Sequence, residues 1–384
     1  MFKSLLIILI FTLIATQFFI SNIKMLKASN PSQDFEVFYL SGQQALEKSN
    51  PYVMLGKDIV RNPPPALLLF ALLPLFPIMQ SQSAWFVISL LLFFTGSYFL
   101  FKTLAQSDKN SFNPLNWKLW LCYLSLVFVF FPFRYNLGSG QVNNLLFLLI
   151  VVVFYLMRRN RKVLSALILA LTIALKITPI FLLYTLFLQK KIKNILWTML
   201  FLVLIGGATA ILLGPKVYNN YLAIPGSFLD FGITTYYNQS FAGFLSRALN
   251  NSELTKWVVL LTITIAVAFL FILKRITEDG FPVDSILWNL SIIYMLIFAP
   301  FAWQYHFVII ISPLVLTAYL GYKMRLSYKF FLLLALSYVL IGWNIKNPAI
   351  FAEGIIGAIP LSHVFFGSLL LLILNFYLAS KVSK

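Results

Sequence analysis

The sequence predicts an all-α polytopic integral membrane protein, and three observations carry that prediction. Of its 384 residues 60% are apolar and only 10% charged, whereas a soluble domain carries roughly a quarter charged residues to cover its surface. The mean hydropathy is +0.88. The apolar residues come in long runs, as over residues 5–20, which are apolar almost throughout. That continuity excludes a transmembrane β-barrel, whose strands alternate apolar and polar positions, and the composition excludes a soluble fold and intrinsic disorder.

Apolar runs of roughly 17 to 22 residues are long enough to cross a bilayer. Ten such runs begin near Ser4, Ala84, Leu119, Gln141, Asn194, Thr255, Ser285, Phe307, Phe330 and Leu361, predicting about ten full transmembrane helices. The first follows Lys3 as the apolar part of a signal peptide would, but no small-residue cleavage pattern succeeds it, so it is expected to remain as the first span. Two shorter stretches are left. Residues 66–79 are interrupted by Pro74 and Pro77, and residues 163–188 by Lys176 and Pro179.

The formal charge is 29 − 11 = +18, which in a soluble protein would suggest nucleic acid. Here the cations cluster between apolar runs, where they set orientation and meet anionic lipid heads, so membrane lipids and not nucleic acid are the expected partners. Placing the clusters at residues 158–162, 190–193, 274–275 and 323–329 on the cytoplasmic side requires 163–188 to enter and return as two half-helices. It also requires 66–79 to be a short re-entrant or interfacial piece. The opposite face then receives the loops 22–65, 133–141, 214–254 and 301–306. No internal repeat or separate soluble domain is visible, so residues 1–384 read as one integral domain with its polar chemistry on the outer face.

Eleven acids are few for this length, and two of them, Asp34 and Glu36, share the first outer loop at the start of an amphipathic helix. Asp34 is either a cap of that helix or a base able to deprotonate an acceptor hydroxyl. Glu36 projects to a different helix face, which favours one base over a carboxylate pair. Lys176 is a lone cation between two apolar half-helices. It either snorkels to an interface or serves an anionic group such as a phosphate, since intramembrane ionisable residues are expensive.

Gln141, Asn143 and Asn144 follow Gly138-Ser139-Gly140 at a span entrance, where amides serve as caps or interhelical glue. Asn238 and Gln239 precede Arg247, itself either a phosphate ligand or an interfacial anchor. His306 lies beside Trp303 and Tyr305 at a span end. It is either structural or able to support a phosphate leaving group or a base. The single Cys122 lies in an apolar run, and His, Cys and acidic residues show no ligand spacing. No metal site and no cofactor are expected.

Taken together, Asp34-Phe35 with Tyr39, Asn50-Pro51-Tyr52, Pro63-Pro64-Pro65, Gly140-Gln141-Val142-Asn143, Lys176 with Pro179, Asn238-Gln239-Ser240 with Arg247, and His306 resemble glycosyltransferase family 87, membrane enzymes of the GT-C class. The likeness runs from the first span to about residue 320. It implies a GT-C-like helical bundle that transfers mannose, or in some members arabinofuranose, from a polyprenyl-phosphate sugar to a glycan or glycolipid acceptor. Transfer would occur on the outer, periplasmic face of a bacterial plasma membrane.

The resemblance further implies that Asp34 is the general base and that Lys176, Arg247 and His306 lie near the donor phosphate. Glu36, Gln141, Asn143, Asn238 and Gln239 are the candidates for contact with substrate. The reaction would be a single inverting displacement. Asp-Phe-Glu stands where the wider class has adjacent acids, so metal independence is expected. A transporter or lipid flippase is the rival class, because broken helices with an embedded Lys also build carrier sites, though these sit near the midplane between repeats. A surface-polysaccharide polymerase or ligase is a further rival, one for which the outer loops hold few Arg residues.

Overall fold

The computed structural model describes residues 2–26, 31–56, 58–107, 113–224, 233–276, 280–351 and 354–382. Among them are eighteen α-helices and no β-strand, as expected where backbone groups must be satisfied within each segment. In chain order the first eight are α1 (Phe2–Leu26), α2 (Gln33–Leu46), α3 (Ala66–Phe70), α4 (Ile78–Ser107), α5 (Trp117–Val129), α6 (Phe131–Ser139), α7 (Asn143–Arg158) and α8 (Lys162–Leu175). There follow α9 (Phe181–Leu188), α10 (Ile192–Leu213), α11 (Lys216–Leu222), α12 (Phe241–Leu249), α13 (Ser252–Ile276) and α14 (Phe281–Ile297). The last four are α15 (Ile311–Lys323), α16 (Tyr328–Gly342), α17 (Ile355–Leu361) and α18 (His363–Val382).

Each of the ten apolar runs forms helix. Among the described residues five helices are long and apolar enough to span, six if a bent pair counts as one. The bent pair is α5 with α6, turned by 67° where Phe130 adopts an extended backbone ahead of Pro132. Proline cannot continue the helix before it. Helices α7, α14 and α16 have 16, 17 and 15 residues. At ~1.5 Å per residue they reach about 22 to 26 Å, short of the roughly 30 Å hydrocarbon core.

The two interrupted stretches break where proline and lysine foretold. Residues 66–79 yield the five-residue α3, a 3-10 turn at Leu73–Leu75 and the start of α4, far too short to cross. The stretch 163–188 is α8, an extended Lys176, a 3-10 turn at Thr178–Ile180, and α9.

The chain divides into two compact units. The first comprises residues 1–177 and 196–225, with α4 packed on α7, α7 on α8, and α1 on α5. Its core is a run of phenylalanines. Phe133 of α6 has its ring centroid 5.8 Å from Phe18 and 4.5 Å from Phe93, and Phe93 lies 4.9 Å from Phe147. These rings pin α6 to α1, α4 and α7, and so fix the turn that leaves α6. Helix α2 lies on α3, where Gly42 comes so close to Phe70 that an added Cβ would collide with its carbonyl oxygen.

The second unit comprises residues 178–195 and 226–384, in which α14 packs on α9, α15 and α18, and α16 on α18. Its interior carries hydrogen-bonded amides. Asn289 donates to Asn375 at 3.0 Å, and Asn375 donates to Thr317 at 2.9 Å. These polar contacts join α14, α15 and α18 where apolar packing alone would leave their register loose.

Candidate functional site

The first unit brings Asp34, Gln141, Asn143 and Lys176 into one constellation. Asp34 enters through the first turn of α2, whose start is tied to two other elements. The Ser32 amide donates to the Gln82 side chain of α4 at 3.0 Å, and the Ser32 hydroxyl donates to the Ser139 carbonyl at 3.2 Å. Phe35, fully buried, rests against Gly140. Gly140 closes α6 in a left-handed conformation, φ 74°, the usual helix stop for a residue without a side chain. Its carbonyl accepts from the Trp85 indole at 2.8 Å.

This packing delivers the Asp34 carboxylate to the turn between α6 and α7. There the Gln141 and Ser139 side chains hydrogen-bond to it, so its polar partners lie outside its own helix. Asp34 is half-buried, and desolvation raises its pKa from 3.8 to about 6. The two hydrogen bonds pull it back down, Asp58 pushes it up, and Lys176 pulls it down. The carboxylate is therefore ionised at neutral pH yet more basic than an ordinary aspartate.

Lys176 follows the last residue of α8 with an extended backbone, φ −153° and ψ 131°. Its Nζ donates to Asn143 Oδ1 at 3.1 Å. The break leaves the Leu175 carbonyl without a helical partner, and Asn62 Nδ2 fills that need at 3.0 Å. Asn62 is in turn held by Tyr52, whose hydroxyl donates to the Asn62 carbonyl at 3.0 Å. The 50–62 loop thus fastens to the broken helix. It also carries Asp58, paired with Arg61 at 2.8 Å. Glu36 faces another part of this loop, its carboxyl lying against Gly56 at φ 64°.

Asn238, Gln239, Arg247 and His306 belong to the second unit. Arg247 NH1 donates to the carbonyls of Thr235 and Asn238, both at 2.8 Å, and NH2 to the Ser362 hydroxyl at 2.7 Å. Desolvation lowers its pKa to about 10, with Tyr236 acting in the opposite sense, so it stays cationic. Gln239 donates to the carbonyls of Tyr236 and Leu361 at 2.6 and 2.7 Å and accepts from the Val364 amide at 3.2 Å. Asn238 accepts from the Ser240 hydroxyl at 2.9 Å and the Ala302 amide at 3.0 Å. Each of these side chains binds the loop 233–240 to its surroundings. His306 is buried in a 3-10 stretch, with its ring centroid 4.8 Å from that of Tyr305.

Sequence reasoning passed over Asn62, Asp58, Ser139, Trp85 and Asn136. Asn62 adjoins Pro63-Pro64-Pro65, a motif that marks the segment but not the side chain's target. Among the described residues no three of His, Cys, Asp and Glu are grouped to hold a metal ion.

The family model for glycosyltransferase family 87 matches residues 61–300, which takes in α3 through α14 and includes Asn143, Lys176, Asn238, Gln239 and Arg247. A search of curated proteins finds no match.

Proposed function

The chain belongs to glycosyltransferase family 87 and is a membrane glycosyltransferase; from that premise we propose that it moves a sugar, mannose foremost, from a polyprenyl-phosphate donor to a glycan or glycolipid acceptor. The proposed site of transfer is the outer, periplasmic face of a bacterial plasma membrane, and no metal or cofactor takes part.

The observation that supports this reading is one constellation that holds both a basic carboxylate, Asp34 bonded by Gln141 and Ser139, and a cation, Lys176 bonded to Asn143. In the proposed step the acceptor hydroxyl oxygen attacks the anomeric carbon while Asp34 takes its proton. The bond from that carbon to the phosphate oxygen breaks, and its electron pair leaves on the polyprenyl phosphate. Attack opposite the leaving group inverts the anomeric centre. Lys176 offsets the charge that develops on the departing phosphate, so no strong acid is needed there.

Gln141 and Ser139 aim the carboxylate. His306 is the other proposed donor-phosphate group, whereas Arg247, bonded to the protein through both terminal nitrogens, is proposed to hold the loop 233–240 in place. Glu36, Asn238 and Gln239 remain the proposed substrate contacts, together with Gln141.

The test is transfer of radiolabelled mannose from synthetic polyprenyl-phosphate mannose to membrane glycolipid by purified protein. Transfer by the wild type that survives chelator and is lost in Asp34→Asn is the expected result. Full activity in a folded Asp34→Asn protein would remove Asp34 from the mechanism, and loss of activity to chelator would remove metal independence.

A further inference from the structure

A lysine ammonium only donates hydrogen bonds, while a carboxamide has one accepting and one donating end. Lys176 Nζ lies 3.1 Å from Asn143 Oδ1, so Asn143 must turn its oxygen toward the lysine. Its NH2 is then directed the other way, and it donates to Asn136 Oδ1 at 3.0 Å. That bond in turn fixes Asn136, whose own Nδ2 has no hydrogen-bond partner among the described residues although the side chain is fully buried. A buried amide donor left unmade is costly, and the orientation persists because the reverse one would set an NH2 against the ammonium. Asn136 is in α6 and Asn143 opens α7, on either side of the Gly140 turn that meets Asp34.

We infer that Asn136 and Asn143 are positioning residues, a polarised amide relay that holds the Lys176 ammonium at the head of α7, beside the Gly140 turn. This assigns Asn143 to the lysine rather than to the sugar. The inference rests on the proposed roles of Asp34 and Lys176, but the relay has a readout that does not depend on them. Asn143→Leu removes the acceptor at nearly unchanged volume. Asn143→Asp keeps an acceptor for the lysine. Asn136→Leu frees the Asn143 amide to rotate, and Asn136→Asp keeps the oxygen that orients it.

The experiment measures acylation of Lys176 by an amine-reactive ester at pH 6, where the ammonium predominates, in the detergent-solubilised full chain, read by mass spectrometry, beside the pH profile of sugar transfer. Asn143→Leu and Asn136→Leu should each acylate at least about threefold faster than wild type, as befits loss of a hydrogen bond to a charged group. Asn143→Asp and Asn136→Asp should acylate no faster than wild type, since a carboxylate keeps or strengthens the acceptor, with thermal midpoints confirming folded protein. A merely structural role predicts the opposite order at residue 136, because burying a carboxylate there would disturb packing more than Leu. Unchanged acylation in folded Asn143→Leu, or faster acylation in both Asp variants, would overturn the relay. If acylation follows the expected order while wild-type protein transfers no sugar, the relay stands and the functional proposal fails.

Discussion

Gly140 and Phe35 approach so closely that a Cβ added to Gly140 would lie 2.6 Å from the Phe35 Cβ. The contact locks the first turn of α2 onto the exit of α6, and Asp34 precedes Phe35. Gly140→Ala would meet both this clash and the strain of a left-handed backbone, φ 74°, together about 1–3 kcal/mol. The expected outcome is a lower thermal midpoint in detergent and a transfer rate reduced more than stability alone explains, since the carboxylate moves with Phe35. A Gly140→Ala protein with wild-type rate and midpoint would refute the lock.

Asp34→Asn should lower the rate by about 10²- to 10⁴-fold, the range for removing a general base. In the wild type the rate should be flat above neutrality and fall about tenfold per pH unit below the Asp34 pKa, which lies at about 6. Stability should move the other way. The folded pKa of about 6 exceeds the unfolded 3.8, so the stability due to the protonated acid is fully present below pH 3.8 and lost as pH rises through 6. Asn at this position avoids that loss, so the variant's thermal midpoint should exceed wild type at pH 8 and match it near pH 4. Both are checked by one pH series of activity and melting.

The parts that sequence alone revealed share a property: they stand out against a uniform background. Ten apolar runs are visible because charge is so scarce, and Lys176 is visible for the same reason. The bend between α5 and α6 was not read, because run-counting reads length and not direction, although Pro132 stands at it. What stayed hidden are contacts between distant segments. Asn62 and Leu175 are 113 residues apart, and an asparagine that caps a broken helix looks like any loop asparagine. Arg247 was readable as a cation near a loop, but its partners are the carbonyls of Thr235 and Asn238, which no side-chain pattern announces.

Asn62→Ala should expose how far the broken helix depends on that cap. Its removal leaves the Leu175 carbonyl at the end of α8 without its side-chain donor, a cost of about 1–2 kcal/mol. Lys176 is the next residue, so a looser Leu175 also loosens the cation. The expected result is a modest fall in thermal midpoint with a clear rise in KM for the polyprenyl-phosphate donor. Asn62→Asp, which accepts but cannot donate to a carbonyl, should do no better than Ala. Donor affinity unchanged in both variants would detach the cap from the site.

Arg247 separates two roles that a sequence cannot. If the guanidinium serves chiefly the donor phosphate, Arg247→Lys should keep the charge and much of the affinity. The structure instead commits NH1 to two carbonyls and NH2 to a hydroxyl, at 2.7 to 2.8 Å. A lysine has a single donor centre and cannot reproduce that fork. Losing the guanidinium removes these three bonds from the loop 233–240 and Ser362, at a cost of about 3 kcal/mol. Arg247→Lys and Arg247→Ala should therefore lower the thermal midpoint alike, and where folded protein is recovered the donor KM should change little beside the loss of stability. Measuring midpoint and donor KM on both variants decides the matter: intact stability with a KM raised only in Arg247→Ala would return the guanidinium to the phosphate.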